Sequence, residues 1–189
     1  MKDIIKQQLK ESIKVKEEIS KSLVDSIEKI SEIIIECCKN KNKIVLFGNG
    51  GSAADAQHIA AELIGKFKID RDPIAAIALN TNISTITAIS NDYSFEKIFE
   101  RQVEAIVNKD DVVIGITTSG NSINVIRGIK KAKEIGAKTI VFTGMTGGKI
   151  DGIADITLKV PSSDTARVQE AHITIGHIIC YLVEKELFQ

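Results

Sequence analysis

The sequence carries no excess charge of either sign: 25 Lys plus Arg stand against 25 Asp plus Glu, a formal net charge of zero. No long-range field therefore gathers nucleic acid or an anionic membrane surface, and any anion must be caught by local geometry. The chain also lacks the continuous run of roughly 18 apolar residues that a membrane-spanning helix needs. Met1–Lys2–Asp3 mixes charges where a signal peptide places an apolar stretch. These absences predict a cytoplasmic protein with no nucleic acid and no membrane as partner. Cysteine is scarce. Cys37 and Cys38 are adjacent and Cys180 is distant, so the three form neither a CxxC pair nor an even disulfide framework, and they read as reduced core thiols. Two prolines interrupt the chain, and no low-complexity segment or linker divides it. What is present, 189 residues of which 43% are hydrophobic, suffices for one globular domain with a substantial core.

Residues 3–39 contain neither Gly nor Pro and place Ile5, Leu9, Ile13, Ile19, Leu23, Ile27, Ile30, Ile34 and Cys37 mostly three or four apart. That spacing predicts one long amphipathic helix, or two. An arm of this length exceeds what one small sheet needs as cover, so part of its stripe is expected to pack on another subunit. Folding back on its own domain is the alternative. Beyond the arm, Lys43–Phe47, Pro73–Leu79, Asp111–Thr117, Lys138–Thr143 and Ala154–Val160 are short apolar runs, read as five parallel strands. Helices are predicted from near Ser52, Ser84, Ser94, Ser122 and Lys149, with a last one over about Thr165 to Leu187. The expected fold is α/β, a doubly wound five-stranded parallel sheet flanked by helices, with ligands at the carboxyl ends of the strands.

Two strand ends carry related loops. Gly48–Asn49–Gly50–Gly51–Ser52 follows the first strand, and Thr117–Thr118–Ser119–Gly120–Asn121–Ser122 follows the third. Glycines let a chain turn tightly and aim unpaired N–H groups, at the positive end of a helix, toward a phosphate. The second loop adds four hydroxyls within six residues, enough for a phosphate dianion without a lysine. A plain serine-capped turn is the ordinary alternative for either loop alone. No nucleotide cofactor is expected. Gly48-x-Gly50-x-x-Ala53 loosely matches a dinucleotide fingerprint, but the next strand runs out into Leu79–Asn80–Thr81 without the acidic residue that holds a ribose, and the Walker lysine is missing.

His58 and Glu62 are four apart on the helix opened by the first loop and share one face, which suits two ligands of one metal or an acid and a base. On the last predicted helix, Gln169 and His177 are eight apart, within roughly 80° of each other at 100° per residue. His172 lies off that face and reads as a core histidine. Two histidines and a glutamate could hold a divalent ion such as zinc, with Gln169 an unusual fourth ligand. Asn91–Asp92 is a further polar pair near the strand ends, or a turn with an Asx cap.

Gly48–Asn49–Gly50–Gly51–Ser52–Ala53–Ala54–Asp55–Ala56–Gln57–His58, Asn91–Asp92–Tyr93, Thr118–Ser119–Gly120–Asn121–Ser122 and Arg167–Val168–Gln169–Glu170 resemble, in order and spacing, the phosphoheptose isomerases of the sugar isomerase domain superfamily. The resemblance covers essentially the whole chain. It implies one sugar isomerase domain over 1–189, with a helical arm at 1–40 and an α/β sandwich at 41–189. It implies interconversion of D-sedoheptulose 7-phosphate and D-glycero-D-manno-heptose 7-phosphate for bacterial surface glycans, by a homotetramer with active sites at subunit interfaces. Carried over by motif, Asn49, Gly50, Gly51, Glu62 and Gln169 contact substrate, and Ser52, Thr117, Thr118, Ser119 and Ser122 cradle its phosphate. Asn91 and Asp92 hold sugar hydroxyls, and one zinc per subunit is bound by His58, Glu62, Gln169 and His177. The family's usual Ser at position 117 is Thr here, which keeps the hydroxyl. Proton transfer through an enediol needs a base and an acid, assigned to Glu62 and His177. Two alternatives remain: a non-catalytic scaffold that binds the replication initiator, or an isomerase of another phosphosugar.

Overall fold

The computed structural model describes residues 1–189. The gapless amphipathic start forms two helices, α1 (Lys2–Ser22) and α2 (Val24–Lys39), with the break at Leu23. Only Ile19 of α1 is buried. Ile4, Ile5, Leu9 and Ile13 stand exposed on this chain, whereas Ile27, Ile30, Ile34 and Cys37 of α2 enter the core. The strands are β1 (Ile44–Gly48), β2 (Ala76–Ala78), β3 (Val112–Ile116), β4 (Lys138–Thr143) and β5 (Ile156–Lys159), in the order β2-β1-β3-β4-β5 and all parallel. The helices between and after them are α3 (Gly51–Ile64), α4 (Ile83–Asp92), α5 (Ile98–Ile106), α6 (Ile123–Ile135) and α7 (Thr165–Phe188).

Both faces of the sheet are covered, so β1 and β3 are buried along their whole length. Ile44, Leu46, Ile114, Ile116, Ile140 and Phe142 point into one core with α2, α3 and α7. Val45, Phe47, Val113 and Val141 point into a second core with α4, α5 and α6. Alternate residues of one strand thus serve opposite faces, the reason these runs are apolar throughout. The chain winds outward from β1 to β2, then crosses back to β3 on the other side of β1, so the topological switch lies between β1 and β3. Their carboxyl ends are level, with Gly48 paired to Ile116. A ligand crevice opens there in such sheets.

Three boundaries differ from the sequence expectation. The run from Pro73 pairs only at Ala76–Ala78, because Pro73 has no N–H and the N–H of Ile74 donates to Leu63 O instead of a ladder partner. The helix expected near Ser94 starts with a 3-10 turn at Phe95–Lys97, since Ser94 is fully extended. The helix expected near Lys149 is one 3-10 turn, Gly148–Ile150, because Gly147 and Gly148 both take positive φ and reverse the chain.

His172 is a core residue. It is fully buried, its Nε2 lies 3.3 Å from Thr143 O, and burial lowers its pKa from 6.5 to about 4. The native state keeps the ring neutral where the unfolded chain would bind a proton, so stability is full above pH 6.5 and falls as the pH drops toward 4. About 3 kcal/mol is at stake over that window. Chemical denaturation of wild type and His172→Gln at pH 7.5 and 4.5 is expected to show a clearly flatter pH dependence for the variant.

Candidate active site

At both loops of the switch point the residue before the helix supplies no side-chain cap. The residue before α3 is Gly50, at φ +55°, and Ser122 before α6 makes no side-chain cap. Two other helices are capped: Asn82 accepts from Thr85 N at the start of α4, and Asp164 accepts from Ala166 N and Arg167 N at the start of α7. Ser122 Oγ instead faces Thr117 Oγ1 at 3.2 Å. Ser119 Oγ accepts from Asn121 N, leaving its own hydrogen to donate. The backbone oxygen of Thr118 accepts from Gly144 N and holds the neighbouring loop. Ser52 is buried at the first turn of α3. First-turn N–H groups and several hydroxyls thus meet at adjacent strand ends, a set of donors for one anion.

Two side chains that sequence reasoning passed over hold these loops. Asn124, itself buried, exchanges two 2.9 Å hydrogen bonds with Asn49: each amide donates to the other's oxygen, tying the first loop to the start of α6. Asn80 accepts from Gly48 N and donates to Gly48 O, fixing the last residue of β1. Gly51 is a close approach: a Cβ there would lie 2.5 Å from Gln169 Nε2, so the amide of Gln169 rests directly on the first loop.

The second group lies between α3 and α7. His58 Nε2 is 3.0 Å from Glu62 Oε1 and 3.0 Å from His177 Nε2, and one ligand atom from each of the three falls within 4.8 Å of the others. The i, i+4 spacing on α3 makes the first contact, and packing of α7 on α3 makes the second. Two ring nitrogens this close require a proton or a cation between them. Two imidazoles and a carboxylate, partly open to solvent, are a donor set that fits zinc with a position left for substrate. The ring of Phe67 stands 6.0 Å from that of His177 and closes one side. Asp55, one turn before His58, has a buried Oδ2 without a hydrogen-bond partner, and burial lifts its pKa to about 6.

Asn91 and Asp92 make no side-chain hydrogen bond to either group within this chain. They end α4, are exposed, and their side-chain hydrogen bond is to each other at 2.9 Å; neither makes an Asx cap.

Residues 7–144 match the SIS domain family model. The chain is 56% identical over 185 residues to a phosphoheptose isomerase of Aquifex aeolicus, covering 98% of this chain and 97% of that protein. It is 56% identical over 190 residues to a phosphoheptose isomerase of Clostridium acetobutylicum, covering 100% and 97%. Among solved structures, that of a phosphoheptose isomerase from Neisseria gonorrhoeae superposes with a TM-score of 0.92 at 43% identity, covering 97% of this chain and 98% of that one.

Proposed function

This chain belongs to the SIS domain family and, within it, to the phosphoheptose isomerases, and from that premise we propose how its residues carry out the reaction. The activity is aldose–ketose isomerisation of D-sedoheptulose 7-phosphate to D-glycero-D-manno-heptose 7-phosphate, in heptose biosynthesis for bacterial surface glycans. One observation supports the site most directly: α3 begins at the anion cradle and carries His58 and Glu62, the pair that His177 of α7 completes as a cluster.

The phosphate binds Ser52, Thr117, Thr118, Ser119 and Ser122 and the first N–H groups of α3 and α6. Asn49, Gly50 and Gly51 contact the sugar, and the reciprocal bond from Asn124 sets the plane of the Asn49 amide. Asn91 and Asp92 bind sugar hydroxyls. Glu62 removes a proton from C1 of the open-chain ketose, the C1–C2 enediol forms, and the proton is returned at C2. His177 donates to the ring oxygen during opening and takes up the proton of the hemiketal hydroxyl, then gives it to the C2 oxygen as charge develops and accepts the O1 proton as the enediol becomes the aldehyde. Zinc would be held by His58, Glu62, Gln169 and His177, and when bound it supplies Lewis-acid polarisation of the substrate oxygens. No nucleotide cofactor takes part.

The chain folds as one sugar isomerase domain over residues 1–189 and acts as a cytoplasmic homotetramer with sites at subunit interfaces. The exposed stripe Ile4, Ile5, Leu9 and Ile13 supports assembly, as does the groove between α1, α2 and α7, lined by Val24, Ile35, Ile178 and Leu182. A partner chain would then complete the surroundings of Asn91 and Asp92. No helix is long and apolar enough to cross a membrane.

Incubation of metal-analysed protein with sedoheptulose 7-phosphate, followed by NMR with and without zinc and chelator, tests this reading. The aldose is expected to accumulate. Persistent ketose beside clear ligand binding would favour the scaffold or another phosphosugar. Gly51→Ala would push Gln169 off the first loop, and roughly 100-fold lower kcat is expected from a misplacement on this scale, with the melting temperature nearly unchanged.

A further inference from the structure

Thirteen residues after Gly51 the helix that carries His58 and Glu62 ends, and the chain from Gly65 to Ala75 runs without regular structure. Arg71 in that segment folds back into the protein. Its side chain is 1% exposed, and Glu184 of α7, which it meets at 3.1 Å through Nε, is 0% exposed. Four donor contacts leave the one guanidinium. Beyond Glu184 they reach Glu62 O at 2.9 Å from Nη2, and Leu63 O at 2.9 Å and Asp72 O at 3.0 Å from Nη1. Glu62 O and Leu63 O are last-turn carbonyls of α3, which have no partner inside the helix. Glu184 also accepts from Lys68 N, at 2.9 and 3.3 Å to its two oxygens.

The two ends of this link sit beside the reactive groups. Glu62, whose backbone oxygen takes the Nη2 bond, is a member of the cluster itself. Glu184 follows His177 by seven residues, two turns of helix, so both lie on the same face of α7. The guanidinium therefore bridges the helix bearing His58 and Glu62 to the helix bearing His177. Its planar fork holds three directions at once, which a lysine cannot do. A buried ion pair is weak in net stabilisation, because desolvation offsets the Coulomb gain and an apolar pair of similar volume often serves as well. An apolar pair could not take up the carbonyls of Glu62 and Leu63 or the N–H of Lys68.

We infer that Arg71 and Glu184 are positioning residues, a buried clamp that sets the spacing of α3 and α7 and with it the mutual geometry of His58, Glu62 and His177. The inference rests on the isomerase reading for its kinetic consequence and stands apart from it for its metal consequence. The phosphate loops lie at the other end of α3, so binding of the phosphate is independent of the clamp.

The test uses the full chain and the variants Arg71→Lys and Glu184→Gln, with zinc affinity, the Co2+ absorption spectrum, kcat and KM measured at a temperature where circular dichroism shows each folded. Weaker zinc binding by about 10–100-fold is expected, the range for groups that orient metal ligands. A changed Co2+ spectrum and lower kcat, with KM within about twofold of wild type, complete the pattern. Folded variants with wild-type zinc affinity, spectrum and kcat, differing only in melting temperature, would overturn it. So would failure of both variants to fold, which makes the pair a folding determinant. If wild type binds zinc but does not turn over sedoheptulose 7-phosphate, the isomerase reading falls and the metal titration alone decides the clamp. If it turns over without zinc, kcat decides it, and a wild type that does neither refutes both.

Discussion

Glu62→Gln is expected to lower kcat by about 10³-fold, within the 10²–10⁴ that a positioned acid or base contributes, while the fold and phosphate affinity are retained. The amide is nearly isosteric, and the packing around residue 62 is undemanding: its carboxylate meets His58 at 3.0 Å and is a quarter exposed. Its backbone oxygen keeps the bond from Arg71. What the amide cannot do is take the C1 proton. Steady-state kinetics together with an inorganic phosphate titration check both halves, and wild-type turnover by this variant would remove Glu62 from the mechanism.

His177→Ala is the second large effect, a loss of about 10²-fold or more in turnover together with the loss of tight zinc binding. The imidazole stands 3.0 Å from His58, so its removal leaves one histidine, one carboxylate and the neutral amide of Gln169, too weak a set to hold zinc tightly. The ring also packs near Phe67, and the alanine leaves a void at a partly exposed position, so only a modest fall in melting temperature is expected. Metal analysis of the purified variant separates the roles. Zinc retained at wild-type stoichiometry with turnover lost would leave His177 as the acid alone, and zinc lost with turnover retained would make the metal dispensable.

The parts of this molecule legible in its sequence are those governed by local periodicity. Five strands could be read because β1, β3 and β4 are buried on both faces and must be apolar throughout, and the i, i+4 pair on α3 follows from helix geometry alone. The convergence of His177 on that pair needed only that α7 pack on α3. Long-range polar contacts left no such trace. Asn124 finds Asn49 across 75 positions, and Arg71 finds Glu184 across 113. A buried asparagine in the first turn of a helix looks like any capping residue, and an arginine between two aspartates looks like a solvated loop. The missing helix at Lys149 was signalled by Gly147–Gly148, whose positive φ angles break the helical pattern.

Proton transfer through an enediol is the central claim, and isomerisation in D2O tests it most directly. The Glu62 side chain is a quarter exposed on this chain, enough for its captured proton to exchange with solvent. The aldose 7-phosphate formed by wild type is therefore expected to carry deuterium at C2 by NMR, with no product from Glu62→Gln on the same timescale. Aldose that retains the original C1 hydrogen at C2 throughout would contradict proton transfer through a solvent-exchanging base at Glu62.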